Sequence, residues 1–392
     1  MKALSKLLLK NHQNSPQIFK GSFAFSSSVV PGHKQQPVII DLNDLKRQDT
    51  NIFEQIEEAY SDKGLGVLLV RNSGESKQRY MQNYLNLAKQ MRQISEYKGD
   101  LSYLEQPHLE YGHGLNLGKD GYLEGGDTLQ ISFYANIIQE SYTDHKGLIW
   151  KNVWPKDKEI APEFEKYYMS TGRQFIDTAI MLGKKLDDYL KYNVKNYKMQ
   201  IEQGIAKSPR ISARSIYYAA PKNKHNSDLP KNWCSWHKDY SYITGLAPGV
   251  YVDSQDNVKH SNGDPEAGLY IQKRDYEILK LNIPEDCMCF QLGELSQIVS
   301  GGLLQALPHA VKMPVQNFDM PRISLAVFME PEYNEPLSVP VGTNMDRVLT
   351  KQDKEHKLSP LEERWKDGMS FGDYYENCRI SFSYAPDVNK KQ

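Results

Sequence analysis

Trp236-His237-Lys238-Asp239-Tyr240, Pro308-His309-Ala310-Val311 and Arg322-Ile323-Ser324-Leu325-Ala326-Val327-Phe328-Met329 follow one another within about 90 residues of this 392-residue chain, and their order decides how it reads. On an extended strand, positions two apart share a face, so His237 and Asp239 are expected to point together while Lys238 turns away. From Gln291 to Val299 the chain reads as an apolar strand, Gly301-Gly302 as a turn, and the residues around His309 as the next strand. Pro314 to Pro321 reads as a loop, and Arg322 to Met329 as a returning strand with Arg322 and Ser324 on one face. Two imidazoles and a carboxylate are the donors of the facial triad that holds Fe(II) with positions left open. A guanidinium fork beside a hydroxyl suits the grip of a carboxylate. A lone His-x-Asp arises often by chance; the third histidine and the Arg-x-Ser pair in strand order give it weight.

Outward from this core, further short strands alternate with turns: Ile211 to Tyr218, Ser241 to Leu246, Gly268 to Lys273, Cys287 to Leu292 and Ala306 to Met313. That spacing predicts a mainly β chain with flanking helices, a sandwich or jelly roll. Helices are expected over 76–95 and 160–192; in the second, Phe164, Tyr168, Phe175, Ala179, Leu186 and Leu190 recur near helical spacing, as on a helix that backs the sheet. The stretch 97–158 is rich in Gly, Tyr and Asp without clear period and is expected to shape a substrate entrance, with His113 a candidate contact. Val299, Leu303, Val311, Leu325 and Val327 offer an apolar surround for the iron, or simply core.

With 48 basic and 49 acidic residues the net charge is −1, which gives no support for a nucleic-acid or acidic-membrane partner. No apolar run approaches the roughly 18 residues that a bilayer span requires. Four cysteines in so long a chain argue for a reducing compartment. Cys287 and Cys289 would share one strand face, no other Cys or His pair has zinc-like spacing, and Cys234 reads as a packing residue near the mouth of the site. Residues 1–35 differ in kind: Lys2, Lys6, Lys10, Lys20 and Lys34, several serines, Leu4 and Leu7 to Leu9, and no acidic residue before Asp41. This is the character of a mitochondrial transit peptide, the alternative being a solvated tail on a cytoplasmic protein.

The series His-x-Asp, Ser-Gly-Gly, Pro-His-x-Val and Arg-x-Ser resembles the Fe(II)- and 2-oxoglutarate-dependent dioxygenases, in particular the isopenicillin N synthase-like superfamily. The likeness covers most of the chain. Val38 to Leu42, Ile52 to Tyr60 and Gly64 to Val70 are similar to that superfamily's first strand, helix and strand, while Asp127 to Asn136, Asn152 to Pro155, Gly268 to Ile271 and Leu361 to Gly372 are similar to a branch of plant and algal members that brings no substrate with it. The resemblance implies a double-stranded β-helix over 201–334, preceded by a mixed α/β region over 36–200 with a long backing helix and followed by a C-terminal extension over 335–392 that packs on the core. It implies His237, Asp239 and His309 as iron ligands, with Arg322, Ser324 and Tyr218 holding the distal carboxylate of 2-oxoglutarate. The implied activity is hydroxylation or desaturation of a small molecule, with O2 and 2-oxoglutarate consumed and the reactive chemistry supplied by iron. Where the family commonly reads Asn-Tyr-Tyr-Pro-Pro, this chain has Ile216-Tyr217-Tyr218-Ala219-Ala220, so an iron oxidase that spares 2-oxoglutarate stays open. So does an oxygenase fold recruited as a non-catalytic subunit of a mitochondrial assembly.

Overall fold

The computed structural model describes residues 35–109, 112–118, 129–156, 160–198, 200–220, 232–261, 264–314, 320–350 and 359–383. The leader expected over residues 1–35 therefore lies almost wholly outside the described residues, as does most of the loop expected between Pro314 and Pro321.

Among the described residues, a 10-stranded sheet carries the fold. Its order runs β1 (Val38–Asp41), β2 (Val67–Arg71), β14 (Cys287–Leu292), β9 (Ile243–Leu246), β16 (Arg322–Met329), β7 (Ser212–Tyr218), β4 (Gln130–Asn136) and β3 (Gly114–Asn116). β10 (Val250–Val252) pairs with the start of β16 and with β11 (Val258–Lys259). A smaller sheet runs β13 (Ile278–Leu281), β12 (Gly268–Gln272), β15 (His309–Lys312) and β8 (Asn232–His237). Two outlying pairs complete the strands, β5 (Ser141–Thr143) with β6 (Ile149–Lys151) and β17 (Pro336–Leu337) with β18 (Met369–Ser370).

Alternation along each strand explains why the two sheets meet. On β14, Cys287 and Cys289 join a buried cluster with Val67 and Leu69 of β2, Tyr218 of β7, Trp233 of β8, Ile271 of β12 and Val311 of β15. That cluster draws on both sheets and fills the space between them, which is the jelly-roll core. Met288, Phe290 and Leu292 point the other way, into a second and larger cluster under the helices. Because both faces of β14 are covered, it reads as a nearly continuous apolar run, broken only by the buried Gln291.

Covering the outer face are α3 (Gly74–Glu96) and α4 (Phe164–Asn193), joined by α1 (Leu42–Lys46), α2 (Phe53–Tyr60) and α5 (Ile201–Ala206). Along α4, Tyr168, Phe175, Ala179, Leu182, Leu186 and Leu190 are completely buried, and Phe175 meets Phe290 of the sheet at 5.9 Å between ring centroids. α4 is thus the backing helix that the periodicity predicts. After the core come α7 (Met345–Val348), α8 (Leu361–Arg364) and α9 (Phe371–Ser383); Trp365, just past α8, and Phe371, Tyr374 and Cys378 of α9 are buried in the helix-side core. No helix among the described residues is long and apolar enough to cross a membrane.

Three expectations are corrected. Leu292 ends its strand, and the apolar residues that follow wind into α6 (Glu294–Val299), every one of them buried. A short buried helix and a buried strand look alike in sequence. At the junction, a Cβ on Gly293 would lie 2.0 Å from the carbonyl oxygen of Ser241, so only glycine permits this close exit from the sheet. Secondly, the stretch 97–158 is more regular than its composition suggests, since it holds β3 to β6, and β4 pairs with β7 along its whole length. Thirdly, β8 stops at His237, so Asp239 lies beyond the strand rather than on it.

Candidate metal centre

His237 and His309 are direct cross-strand partners in the antiparallel β8–β15 ladder, with ring centroids 4.1 Å apart. Just beyond this pair the register shifts between His309 and Val311, a bulge of the kind that re-aims a side chain next to a site. Asp239 completes the group. Its Oδ1 is 3.8 Å from His237 Nε2 and its Oδ2 is 3.9 Å from His309 Nε2, and one donor atom from each residue falls within 4.8 Å of the others. Asp239 and His309 are buried, whereas the His237 side chain keeps 27% of its exposure, so the group opens on the His237 side.

The Nδ1 contact of His237 suits a cation at Nε2. His237 Nδ1 lies 2.8 Å from the carbonyl oxygen of Ser235 and donates to it, which leaves the Nε2 lone pair for a ligand. The side-chain amide of Gln291 lies against His309 Nδ1. The amide nitrogen faces Nδ1 and Gln291 Oε1 is left buried without a partner; turned end for end, the amide would accept the Nδ1 proton and direct Nε2 at Asp239. Burial, together with the charge on His237, holds the His309 imidazole down at about 4, so it is neutral, the form that ligates. Burial also opposes charge on His237, but Cys234 and Asp239 outweigh it and raise this imidazole to about 9, so a metal cation has to displace the Nε2 proton before that lone pair can ligate.

Asp239 Oδ2 is buried without a hydrogen-bond partner. An ionised oxygen kept from water with no donor is costly, and here two ring nitrogens face the same point. A divalent cation satisfies all three at once, and the N,N,O set is that of a redox-active iron rather than of a structural zinc.

Arg322 and Ser324 do share a face of β16, with Arg322 Nη1 donating to Ser324 Oγ at 3.4 Å. Arg322 stands directly across from Tyr218 on one side and from Tyr251 on the other. Its guanidinium lies 5.5 Å from the Tyr218 ring centre and is hydrogen-bonded to the Tyr251 hydroxyl. Tyr218 in turn stacks on Trp233 at 5.4 Å, tying the strand beside Arg322 to the strand that bears His237. Arg322 and Ser324 thus belong to the larger sheet, and His237 and His309 to the smaller sheet that packs against it. Tyr251 and Gly249 escaped the sequence reading. A Cβ on Gly249 would come within 2.2 Å of the Arg322 guanidinium, a requirement that no local pattern announces.

Other candidates fall elsewhere. Leu325 and Val327 point away from Arg322 into the helix-side core with Val299 and Leu303, and of the five proposed apolar neighbours only Val311 packs between the sheets. His113 is fully buried, its Nε2 is 3.0 Å from Asn152 Oδ1, and burial lowers it to about 4, which fits a neutral brace among loops. Cys287 and Cys289 share one buried face, and Cys234 Sγ lies 3.8 Å from His237 Nδ1.

No family model and no curated protein sequence matches the chain. Solved structures do. A full-length Neurospora crassa protein in complex with alpha-KG and 5-formyluracil superposes with a TM-score of 0.59 at 16% identity, covering 87% of this chain and 96% of that one. JOX2 in complex with 2OG, Fe and JA gives 0.58 at 18% identity, over 90% of this chain and 87% of its own. A Caulobacter crescentus structure assigned to the 2OG-Fe(II) oxygenase family gives 0.54 at 16% identity, over 88% and 98%. At such identities the likeness is one of architecture, and the chain has the fold of the 2OG-Fe(II) oxygenases.

Proposed function

We propose that this chain is a non-heme Fe(II)- and 2-oxoglutarate-dependent oxygenase that hydroxylates or desaturates a small molecule. The observation that carries the reading is the buried, unpartnered Asp239 Oδ2 set against the Nε2 atoms of His237 and His309. In this reading His237, Asp239 and His309 hold the iron, and Arg322 with Ser324 and Tyr218 receives the distal carboxylate of 2-oxoglutarate. When bound, iron supplies the activation of O2 at the expense of the cosubstrate.

The chain's own part is placement and exclusion of water. Arg322 is itself buried, so a carboxylate that reaches it is paired in a low-dielectric setting where a charge-assisted hydrogen bond is strong. The Ser235 carbonyl fixes the His237 tautomer, Gln291 lies against His309, and Tyr218, Trp233, Ile271 and Val311 keep the surrounding space apolar. Convergence of all three donors is not something that a non-catalytic subunit requires.

One observation favours a second reading. Ile216 sits across from Ser324 and on the face of Tyr218, so the position where related chains carry an asparagine offers a cosubstrate no hydrogen bond here. An iron oxidase that does not consume 2-oxoglutarate would fit this. Anaerobic addition of Fe(II) and then 2-oxoglutarate separates the two: a weak visible charge-transfer band on adding 2-oxoglutarate supports the first, iron uptake without the band supports the second, and no iron uptake overturns both.

A further inference from the structure

Asp239 is the one proposed ligand that no strand ladder holds, because β8 ends at His237. What holds it instead comes from far along the chain. Its backbone carbonyl accepts the amide of Glu294, the first residue of α6, at 2.8 Å. On one side of it, Lys238 sends its ammonium to Glu294 Oε1 at 3.3 Å. On the other, the Tyr240 ring meets Tyr375 of α9 edge-on at 5.4 Å.

Glu294 is itself locked by the C-terminal segment. Arg364 grips it with both ends of its guanidinium, Nη1 to Oε2 at 2.7 Å and Nη2 to Oε1 at 2.8 Å, and the Tyr374 hydroxyl donates to Oε2 at 2.5 Å. Arg364 is anchored in turn by the carbonyl oxygen of Ser359 at 3.0 Å. Lys238, Glu294, Arg364 and Tyr374 are all buried, so this is a closed charged network and not a surface ion pair. Three consecutive residues, 238 to 240, are therefore each tied to α6 or to the segment 359–383.

We propose that the C-terminal segment sets the position of the Asp239 carboxylate, with Arg364 acting through Glu294 and Lys238 and with Tyr375 acting through Tyr240, so that these are positioning residues of the metal centre. The inference rests on the reading of His237, Asp239 and His309 as metal ligands. A ligand on an unladdered loop binds well only where its surroundings restrict it, and loss of such outer contacts weakens metal affinity by about 10- to 100-fold. Fold stabilisation alone predicts something different: loss of thermal stability with metal affinity unchanged in whatever protein stays folded.

The test uses the full chain and Mn(II) as the probe, its free concentration followed by electron paramagnetic resonance well below the melting temperature. Arg364→Lys keeps a charge but loses the two-pronged grip, Tyr375→Leu removes the ring against Tyr240, and Arg92→Lys weakens the ion pairs of this α3 residue with Glu96 and with Asp256 of the β10–β11 turn, as a control for general destabilisation. The expected result is a Mn(II) dissociation constant raised about 10-fold or more in Arg364→Lys, raised less in Tyr375→Leu and unchanged in Arg92→Lys. Folded Arg364→Lys with wild-type affinity overturns the proposal. Should Arg364→Lys fail to fold, Tyr375→Leu decides, and unchanged affinity there overturns it. Wild-type protein that binds no Mn(II) overturns the metal reading itself, and this inference with it.

Discussion

Asp239 Oδ2 lies 3.9 Å from His309 Nε2, buried, and takes no hydrogen bond from any described donor. Asp239 lies two residues beyond the end of β8 and His309 on the paired strand β15, where the register shifts, so two segments of the chain deliver their polar atoms to one point. This relationship turns a sequence pattern into a site.

Replacing His309 with alanine removes one of three donors and one buried ring while leaving the β8–β15 backbone pairing intact. Metal uptake is expected to vanish, with the far-ultraviolet circular dichroism retained. Calorimetric titration with Mn(II) or Fe(II) checks it, and wild-type uptake by a folded variant would remove His309 from the ligand set.

Arg322 is the anchor assigned to the distal carboxylate. Arg322→Ala should raise the 2-oxoglutarate concentration needed for half-maximal turnover by about 100-fold, as expected for losing a charge-assisted pair worth about 3 kcal/mol. Gly249→Ala tests the same geometry from behind, since its new methyl group would collide with the guanidinium. A steady-state 2-oxoglutarate titration reads both, and an unmoved requirement in Arg322→Ala would take this residue out of the role.

Glu294 gives a pH dependence with a definite sign. Burial pushes its carboxyl up, but Arg364 and Lys238 overcome this and bring it down to about 2. A folded value below the unfolded one, about 4.3, means stability that is fully present above that value and is lost as pH falls toward 2. Urea unfolding of metal-free wild type and Glu294→Gln should therefore differ by about 3 kcal/mol near neutrality, with the gap closing between about pH 4.5 and 2. A gap that is constant with pH would mean that the ionised carboxylate is not what the network stabilises.

The basic, acid-free leader carries a separate proposal. A reporter fused to residues 1–40 should enter mitochondria, and a reporter left in the cytosol would withdraw it.

The parts legible in sequence were those set by local alternation and period. Cys287–Leu292 and Arg322–Met329 have the bounds their patterns predict, and α4 starts and stops near the predicted limits. The convergence of His237, Asp239 and His309, and the shared face of Arg322 and Ser324, could be expected because each sits in a short motif. What was hidden depends on distance along the chain: Arg364 meets Glu294 across 70 residues, and Gly249 matters only because Arg322 folds back onto it. Asp239 was misplaced onto a strand because the i, i+2 rule holds only where the ladder continues, and it stops two residues earlier.

The most direct test is succinate formation from 2-oxoglutarate on admitting O2 to the anaerobic protein loaded with Fe(II). The account predicts slow, uncoupled succinate release by the wild type, abolished in His309→Ala and strongly reduced in Arg322→Ala. Iron bound in the wild type with no succinate formed, or succinate formed equally well by His309→Ala, would contradict it.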